Sequence, residues 1–262
     1  MRLYRTEAIV LCRRDFGEAD RILTLYTPER GKLAAIAKGV RRVTSRQSGH
    51  VELFTYANLL LAEGRNLHVV TQAETIRPYR GLRGDLVRTT YAYHIAETTD
   101  RFVREGVGSP ATFALLRDSL AALAEADDPS LAARFFELRL LDQLGYRPEL
   151  HVCPVCGAAL GLEGNGFSPE TGGVVCPACV TSVSDAQPLP DSVFRVLRFL
   201  QSRDWAVACR LTLSPATRGV LERVMHAFVR HHLERELNSV AFMRRLRSTG
   251  GDVGGDPGSV SA

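Results

Sequence analysis

Residues 5–38 read RTEAIVLCRRDFGEADRILTLYTPERGKLAAIAK. The run Ala8-Ile9-Val10-Leu11-Cys12 is rich in strand-forming residues. Arg21–Thr27 sets Ile22, Leu23, Leu25 and Tyr26 among polar neighbours, as a half-buried strand does. Between this strand and the next, Pro28-Glu29-Arg30-Gly31 reads as a turn, because proline presets its own φ and glycine permits a positive one. Gly31–Lys38 is then the return strand. Further on, Glu52–Ala62 and Leu67–Ile76 flank Glu63-Gly64-Arg65-Asn66, a second hairpin signal. About five short strands within 80 residues, two of the connections being hairpins, predict a small antiparallel β-barrel. An OB-fold is a barrel of this size and strand number that binds single strands. An SH3-like barrel fits the pattern almost as well.

From Asp85 the hydrophobic period becomes helical. Leu86–Glu105 carries Leu86, Tyr93, Ile95, Ala96, Phe102 and Val103 at mostly helical spacings. Pro110–Ala126 is a second helix, with Ser109 as N-cap and Pro110 at the first helical position. Pro129–Leu144 is a third, capped by Asp128 and followed by Gly145. After a Cys- and Gly-rich segment the helices resume over Ser192–Ser202 and Pro215–Leu246, the latter as one long helix or two shorter ones. Their apolar stripes read as core. The predicted class is therefore α+β and multidomain: an OB-type barrel at 1–80, a helical domain in two parts at 81–150 and 184–247, and a four-cysteine zinc finger inserted at 151–183. Residues 248–262, rich in Gly, Ser and Asp, form a tail too polar to offset the entropy of ordering it.

The most specific local signal is Cys153-Pro154-Val155-Cys156 and Cys176-Pro177-Ala178-Cys179, two C-x2-C pairs with 19 residues between them. A two-residue gap lets a tight knuckle aim two thiolates at one ion, and a second knuckle completes a tetrahedron. Other readings fit less well. Disulfides do not persist in a reducing cytoplasm. A thioredoxin-like centre wants one such motif at a helix start. A catalytic zinc site keeps an open position, whereas four cysteines close the shell. We expect one structural Zn2+ per chain, with His151 near enough to substitute. Cys12 and Cys209 lie in apolar contexts and read as ordinary buried residues.

The net charge of +4 is unevenly spread: residues 1–80 hold 14 Lys and Arg against 8 Asp and Glu, and the remainder is slightly acidic. Lys32–Arg46 reads KLAAIAKGVRRVTSR, with Lys32, Lys38, Arg41, Arg42 and Arg46 and no acid. Such a loop on a barrel rim suits phosphates, and Arg13, Arg14 and Arg21 extend the patch. An acidic protein partner would also accept it. Tyr4, Phe16, Tyr26, Phe54, Tyr56 and Tyr79 are interleaved. Most of them belong to the barrel core, and one or two exposed rings would suffice for base stacking.

No constellation supports an enzyme. There is no phosphate loop of the G-x-x-x-x-G-K-[ST] type, no nucleophile elbow and no H-E-x-x-H. His226, His231 and His232 read as surface or helix-end residues. No apolar run is long enough for a membrane span, and no signal peptide is expected, so the cytoplasm is the expected compartment.

The run Gly17-Glu18-Ala19-Asp20-Arg21-Ile22-Leu23-Thr24-Leu25-Tyr26-Thr27, then Gly31-Lys32, then Ala37-Lys38-Gly39-Val40-Arg41-Arg42, resembles the N-terminal signature of the bacterial RecO family. So does Phe135-Phe136-Glu137-Leu138-Arg139-Leu140-Leu141 closing with Leu144-Gly145-Tyr146. The four cysteines stand where many members carry a zinc finger. The resemblance implies an N-terminal OB-fold, binding to single- and double-stranded DNA, annealing of complementary strands, and partnership with RecR. It also implies help in loading RecA onto strands coated by single-strand-binding protein (SSB). In the family the acidic SSB tail can dock in an apolar pocket of the helical domain edged by basic residues, for which Arg134 and Arg139 are the candidates here. No small-molecule substrate is implied, and the cellular setting would be the nucleoid. A protein adaptor that meets acidic partners, with incidental DNA contact, is the alternative. A zinc enzyme is a further one.

Overall fold

The strands expected in the first 80 residues are present, and they close on themselves. The structure, a computed structural model, describes residues 2–233 and 237–250. Five strands, β1 (Leu3–Phe16), β2 (Asp20–Thr27), β3 (Gly31–Ala37), β4 (Tyr56–Ala62) and β5 (His68–Arg77), form a closed barrel in the order β1-β2-β3-β5-β4. Four of the five joints are antiparallel, and β3 meets β5 in parallel. The expected antiparallel barrel thus carries one parallel joint. Alternation cannot be completed around a ring with an odd number of strands, so one joint must be parallel.

β1 is long because it serves two partners. Its first half pairs with β4 and its second half with β2, and the register shifts between Val10 and Cys12, where it changes neighbours. Such a bulge bends a strand around a barrel corner. Its middle is buried on both sides. Ala8 and Val10 join Leu23, Leu25, Leu59 and Leu61 inside the barrel, whereas Ile9 and Leu11 face the core shared with the helices. That is why Ala8–Leu11 is a continuous apolar run rather than an alternating one.

The helices are α1 (Leu86–Phe102), α2 (Pro110–Glu125) and α3 (Pro129–Gln143), then α4 (Asp191–Ser202), the one-turn α5 (Trp205–Ala208), α6 (Pro215–Leu233) and α7 (Asn238–Gly250). Ser109 and Asp128 cap as expected, each side chain accepting from a first-turn amide, and Asp85 does the same for α1. Pro215–Leu246 resolves into two helices. α7 runs through Gly250, so the expected tail begins later than Ser248. Residues 251–262 lie outside the described residues. α3 is buried almost all round, as a helix at the centre of a domain is.

Barrel and helices meet over a broad apolar contact. Tyr26 stacks on Phe113 at 6.4 Å between centroids, and Tyr56 meets the same ring edge-on. At the β2–β3 turn the approach is backbone to backbone. Gly31, at φ +60°, has room for no side chain, because a Cβ would fall 2.0 Å from the carbonyl oxygen of Val107. The turn glycine is thus required twice, by its φ and by the domain junction.

Between α3 and α4 a three-stranded sheet, β7 (Gly173–Val175), β6 (Gly166–Ser168) and β8 (Gln187–Pro188), carries the cysteine knuckles. It shares the helical core: Phe167 meets Phe228 of α6 edge-on at 5.4 Å. No helix among the described residues is long and apolar enough to cross a membrane.

Candidate metal centre and nucleic-acid face

The two knuckles bring Cys153, Cys156, Cys176 and Cys179 together, with all four Sγ atoms within 4.8 Å of one another. The local sequence explains the shape. In the first knuckle the Gly157 amide donates to the Cys153 carbonyl at 2.8 Å, and Gly157 sits at φ +73°. In the second, the amides of Cys179 and Val180 both donate to the Cys176 carbonyl. Cys176 follows β7 directly, so the sheet sets where the second knuckle begins.

The thiols are unequal. Burial alone would raise Cys153, but amides of Cys176, Cys156 and Val155 donate to its sulfur and bring it down to about 6. Cys179 is pushed up to about 12, first because its thiol is hydrogen-bonded to Cys156 and then to Cys176. Left to themselves, four adjacent sulfurs resist full ionisation. A cation among them removes that resistance, since thiolate is the ligating form. Four sulfur donors and no carboxylate suit a thiophilic ion in tetrahedral coordination, so this cluster could hold a metal ion. His151 stands apart: its Nδ1 lies 3.0 Å from a guanidinium nitrogen of Arg198.

The basic residues predicted from sequence divide into two groups. Arg13 and Arg21 both pair with Glu52, the latter at 3.0 Å, and Arg21 also reaches Asp15 at 3.2 Å. Arg41 lies 3.4 Å from Asp15. Lys32 stands on β3, ahead of the loop, and bridges to Asp100 of α1 at 3.2 Å, so its charge serves the domain junction. Arg14, Lys38, Arg42 and Arg46 are exposed and have no ion-pair partner among the described residues. They surround the β1–β2 hairpin tip and the loop after β3. The two segments are fastened together: the Arg41 amide donates to Ala19 O at 2.9 Å and the Gly39 amide to Asp20 Oδ1 at 2.7 Å.

Of the two arginines expected to edge a partner pocket, Arg139 borders a surface cavity and Arg134 lies in the interior. Arg139 lies over the Phe135 ring at 5.1 Å and borders a cavity of about 380 Å3 lined also by Leu115, Ala132 and Trp205. Arg134 is completely buried, and its guanidinium lies 3.1 Å from Glu137. Arg134 and Arg139 are five residues apart, and on a helix buried nearly all round they emerge into different surroundings. Sequence reasoning missed the network this creates. Glu137 also contacts His94 Nε2 at 2.5 Å, and the other His94 nitrogen lies 3.1 Å from the Ser239 hydroxyl. The i,i+3 spacing of Arg134 and Glu137 was the one available signal.

Several other expectations are corrected. His226 faces inward, 5.5 Å from His94; His231 and His232 stand in the last turn of α6 as expected, with the His232 ring between Tyr146 and Phe228. α6 turns that face toward the domain core. Cys12 and Cys209 are exposed. Cys12 follows the bulge where β1 leaves the barrel body, and Cys209 ends the one-turn α5.

The comparisons agree with this architecture unit by unit. The family profile described as "Recombination protein O N terminal" matches residues 1–79, the barrel, and "Recombination protein O C terminal" matches residues 83–241. A protein named DNA repair protein RecO from Roseiflexus sp. (strain RS-1) is 45% identical over 246 residues, covering 94% of this chain and 87% of that one. A protein of the same name from Dehalococcoides mccartyi (strain CBDB1) is 35% identical over 93% of this chain and 96% of its own. One from Thermoanaerobacter sp. (strain X514) is 34% identical over 95% of this chain and the whole of its own length. A barrel and a helical unit matched in order, by relatives that cover both, leave one assignment: the chain belongs to the RecO family of DNA repair proteins.

Proposed function

We propose that this chain is a non-enzymatic recombination mediator that binds single- and double-stranded DNA and anneals complementary strands. With RecR it helps load RecA onto SSB-coated single strands, in the cytoplasm at the nucleoid. The observation that carries the DNA reading is the four exposed cations with no acidic partner among the described residues, Arg14 near the end of β1 and Lys38, Arg42 and Arg46 in the loop after β3. Phosphates held by such charges release counterions, and lowered repulsion between two strands favours annealing. In this reading Arg13, Arg21 and Arg41 lend a softened positive field from their pairs with Glu52 and Asp15. Lys32 is withdrawn from the DNA face.

The ion in the cysteine site is Zn2+, one per chain, held by Cys153, Cys156, Cys176 and Cys179 as a structural centre. When bound it supplies charge neutralisation to four thiolates and folding energy to the module. The acidic SSB tail docks at the cavity bordered by Arg139, Phe135 and Trp205, where the rings offer apolar contact and Arg139 a guanidinium, on a lining that also holds Asp118 and Asp204. The adaptor reading, in which the basic projection meets acidic protein, rests on the same cations.

Annealing of two complementary oligonucleotides, each precoated with SSB and followed by fluorescence, tests the proposal. Acceleration that fades with salt is expected, with a single-strand binding slope of about −3 in log K against log [salt] for about four neutralised phosphates. The variant Lys38→Ala/Arg42→Ala/Arg46→Ala should flatten that slope and keep its fold. No acceleration, with SSB bound but DNA not, would establish the adaptor instead.

A further inference from the structure

The barrel buries its aromatics with one exception. Tyr26, Phe54, Tyr56 and Tyr79 are all buried in the core shared with the helices. Tyr4 is partly covered, with the Arg30 guanidinium 3.9 Å from its ring centre and His68 edge-on. Phe16 alone among the described aromatics of the barrel stands in solvent, 53% exposed, at the last position of β1. It pairs in register with Asp20 across the turn, and Gly17 beside it, at φ +56°, has nothing within 4 Å of where a Cβ would be. The ring is absent from the buried core of the fold and about half of its surface meets solvent. In the fastened loop, Val43 is fully exposed.

The surroundings are charged. Arg14 is exposed two residues earlier on β1, and Lys38, Arg42 and Arg46 are exposed in the loop after β3. The acids of the hairpin tip are mostly engaged: Asp15 pairs with Arg21 and Arg41, and Asp20 accepts from the Gly39 amide, leaving Glu18 exposed. A single apolar side chain on a surface is ordinary. A lone aromatic at the apex of a net-positive projection, held out by a hairpin that is itself tied to the cationic loop, fits a particular ligand. Unpaired bases offer a flat π-face beside a phosphate backbone, and stacking on an aromatic ring is insensitive to base identity.

The geometry points to Phe16 as a base-stacking residue that holds an unpaired nucleobase while Arg14, Lys38 and Arg42 hold the flanking phosphates. This rests on the DNA-binding reading and deepens it: the cations supply sequence-independent attraction, and Phe16 supplies preference for strands whose bases are accessible. Single strands, and not duplex, are the ligand of this tip, because a paired base hides its face in the stack.

The test uses the full chain with zinc bound. Phe16→Ala should weaken binding to a single-stranded oligonucleotide about 5- to 150-fold, the range for one lost stacked base, and leave the salt slope unchanged. Phe16→Leu should recover little of the loss, since it restores the apolar surface without the ring. On an oligonucleotide made abasic over the binding site, wild type and Phe16→Ala should bind equally. Phe16→Trp should retain affinity, and its added fluorescence should be quenched on binding. Equal affinity of wild type and Phe16→Ala for the normal strand, or an equal loss for the variant on normal and abasic strands, overturns the assignment and leaves the electrostatic reading standing. A wild-type chain that binds no DNA at any salt sinks both. Quenching of the Phe16→Trp signal by anionic vesicles but not by DNA would overturn it in favour of membrane insertion.

Discussion

Arg134 shows what a single residue's surroundings decide. In the sequence it is one arginine among several on a helix, equivalent to Arg139. In the fold it is sealed beneath α1 and α6 with Glu137 and His94, and Arg139 lies at the surface over Phe135. A buried charge loses its hydration, and removing its partner leaves that loss without compensation. Glu137→Ala should therefore destabilise the chain by about 3–5 kcal/mol. Arg139→Ala, a surface change that removes one guanidinium–ring contact, should cost under about 1 kcal/mol. Denaturant unfolding of both variants checks the contrast, and equal costs would contradict the burial assigned to Arg134. The same lesson applies to Glu52, which no motif singled out and which pairs with two of the eight cations expected to face DNA, Arg13 and Arg21.

Among the elements, α7 is held most locally. Its first amides, from Asn238 and Ser239, donate to the two oxygens of Glu97 on α1 at 2.9 and 2.8 Å, so a carboxylate of one helix caps another. Burial alone would raise the pKa of Glu97. The hydrogen bonds from the Ser239 side chain and from both amides, helped by Arg101, outweigh it and hold the group below its ordinary 4.5. A depressed native pKa means the stabilisation is fully present above about pH 4.5 and is lost as pH falls through the lowered native value. Hydrogen exchange at α7 should consequently accelerate on acidification below about pH 4.5. Glu97→Gln should exchange faster at neutral pH and lose that acid-side dependence. An α7 whose protection is flat through this range in the wild type would contradict the cap. The hairpin tip behaves differently as an element: β1–β2 and the loop after β3 are separate in sequence, and the amides of Gly39 and Arg41 make them one projection.

For the whole molecule, the cysteine module is continuous with the helical core and is no appendage. Cys153 and Cys176 are buried in the same apolar cluster as Leu197, Phe228 and Leu141. If metal binding is folding energy for the module, its removal should reach beyond the module. Treatment with a strong chelator is expected to lower the melting temperature of the helical domain by several degrees or more. Cys176→Ser should reproduce the loss and retain less than one metal per chain by elemental analysis. An unchanged melting curve with metal removed would refute a structural role. At this scale the charge asymmetry also changes meaning. The excess of cations in residues 1–80 is real, but Lys32 commits its charge to Asp100 across the domain junction and Arg30 to Glu63 within the barrel.

Much of the fold was legible because it rests on local rules. Strand patterning, the Pro28–Gly31 turn, the caps at Ser109 and Asp128 and the C-x2-C spacing each act over a few residues, so they can be read from neighbours in sequence. The barrel, the order of its elements and the cysteine cluster followed. Tertiary structure decided what depends on residues far apart in the chain: the parallel β3–β5 joint imposed by closing an odd ring, the burial of Arg134 with His94, the inward turn of His226, and the exposure of Cys12 past the bulge. It also decided which cations are neutralised and which aromatic is left in solvent. Those outcomes depend on Coulomb partners and packing surfaces that the fold brings together, and on these the spacing of residues along the chain carries no information.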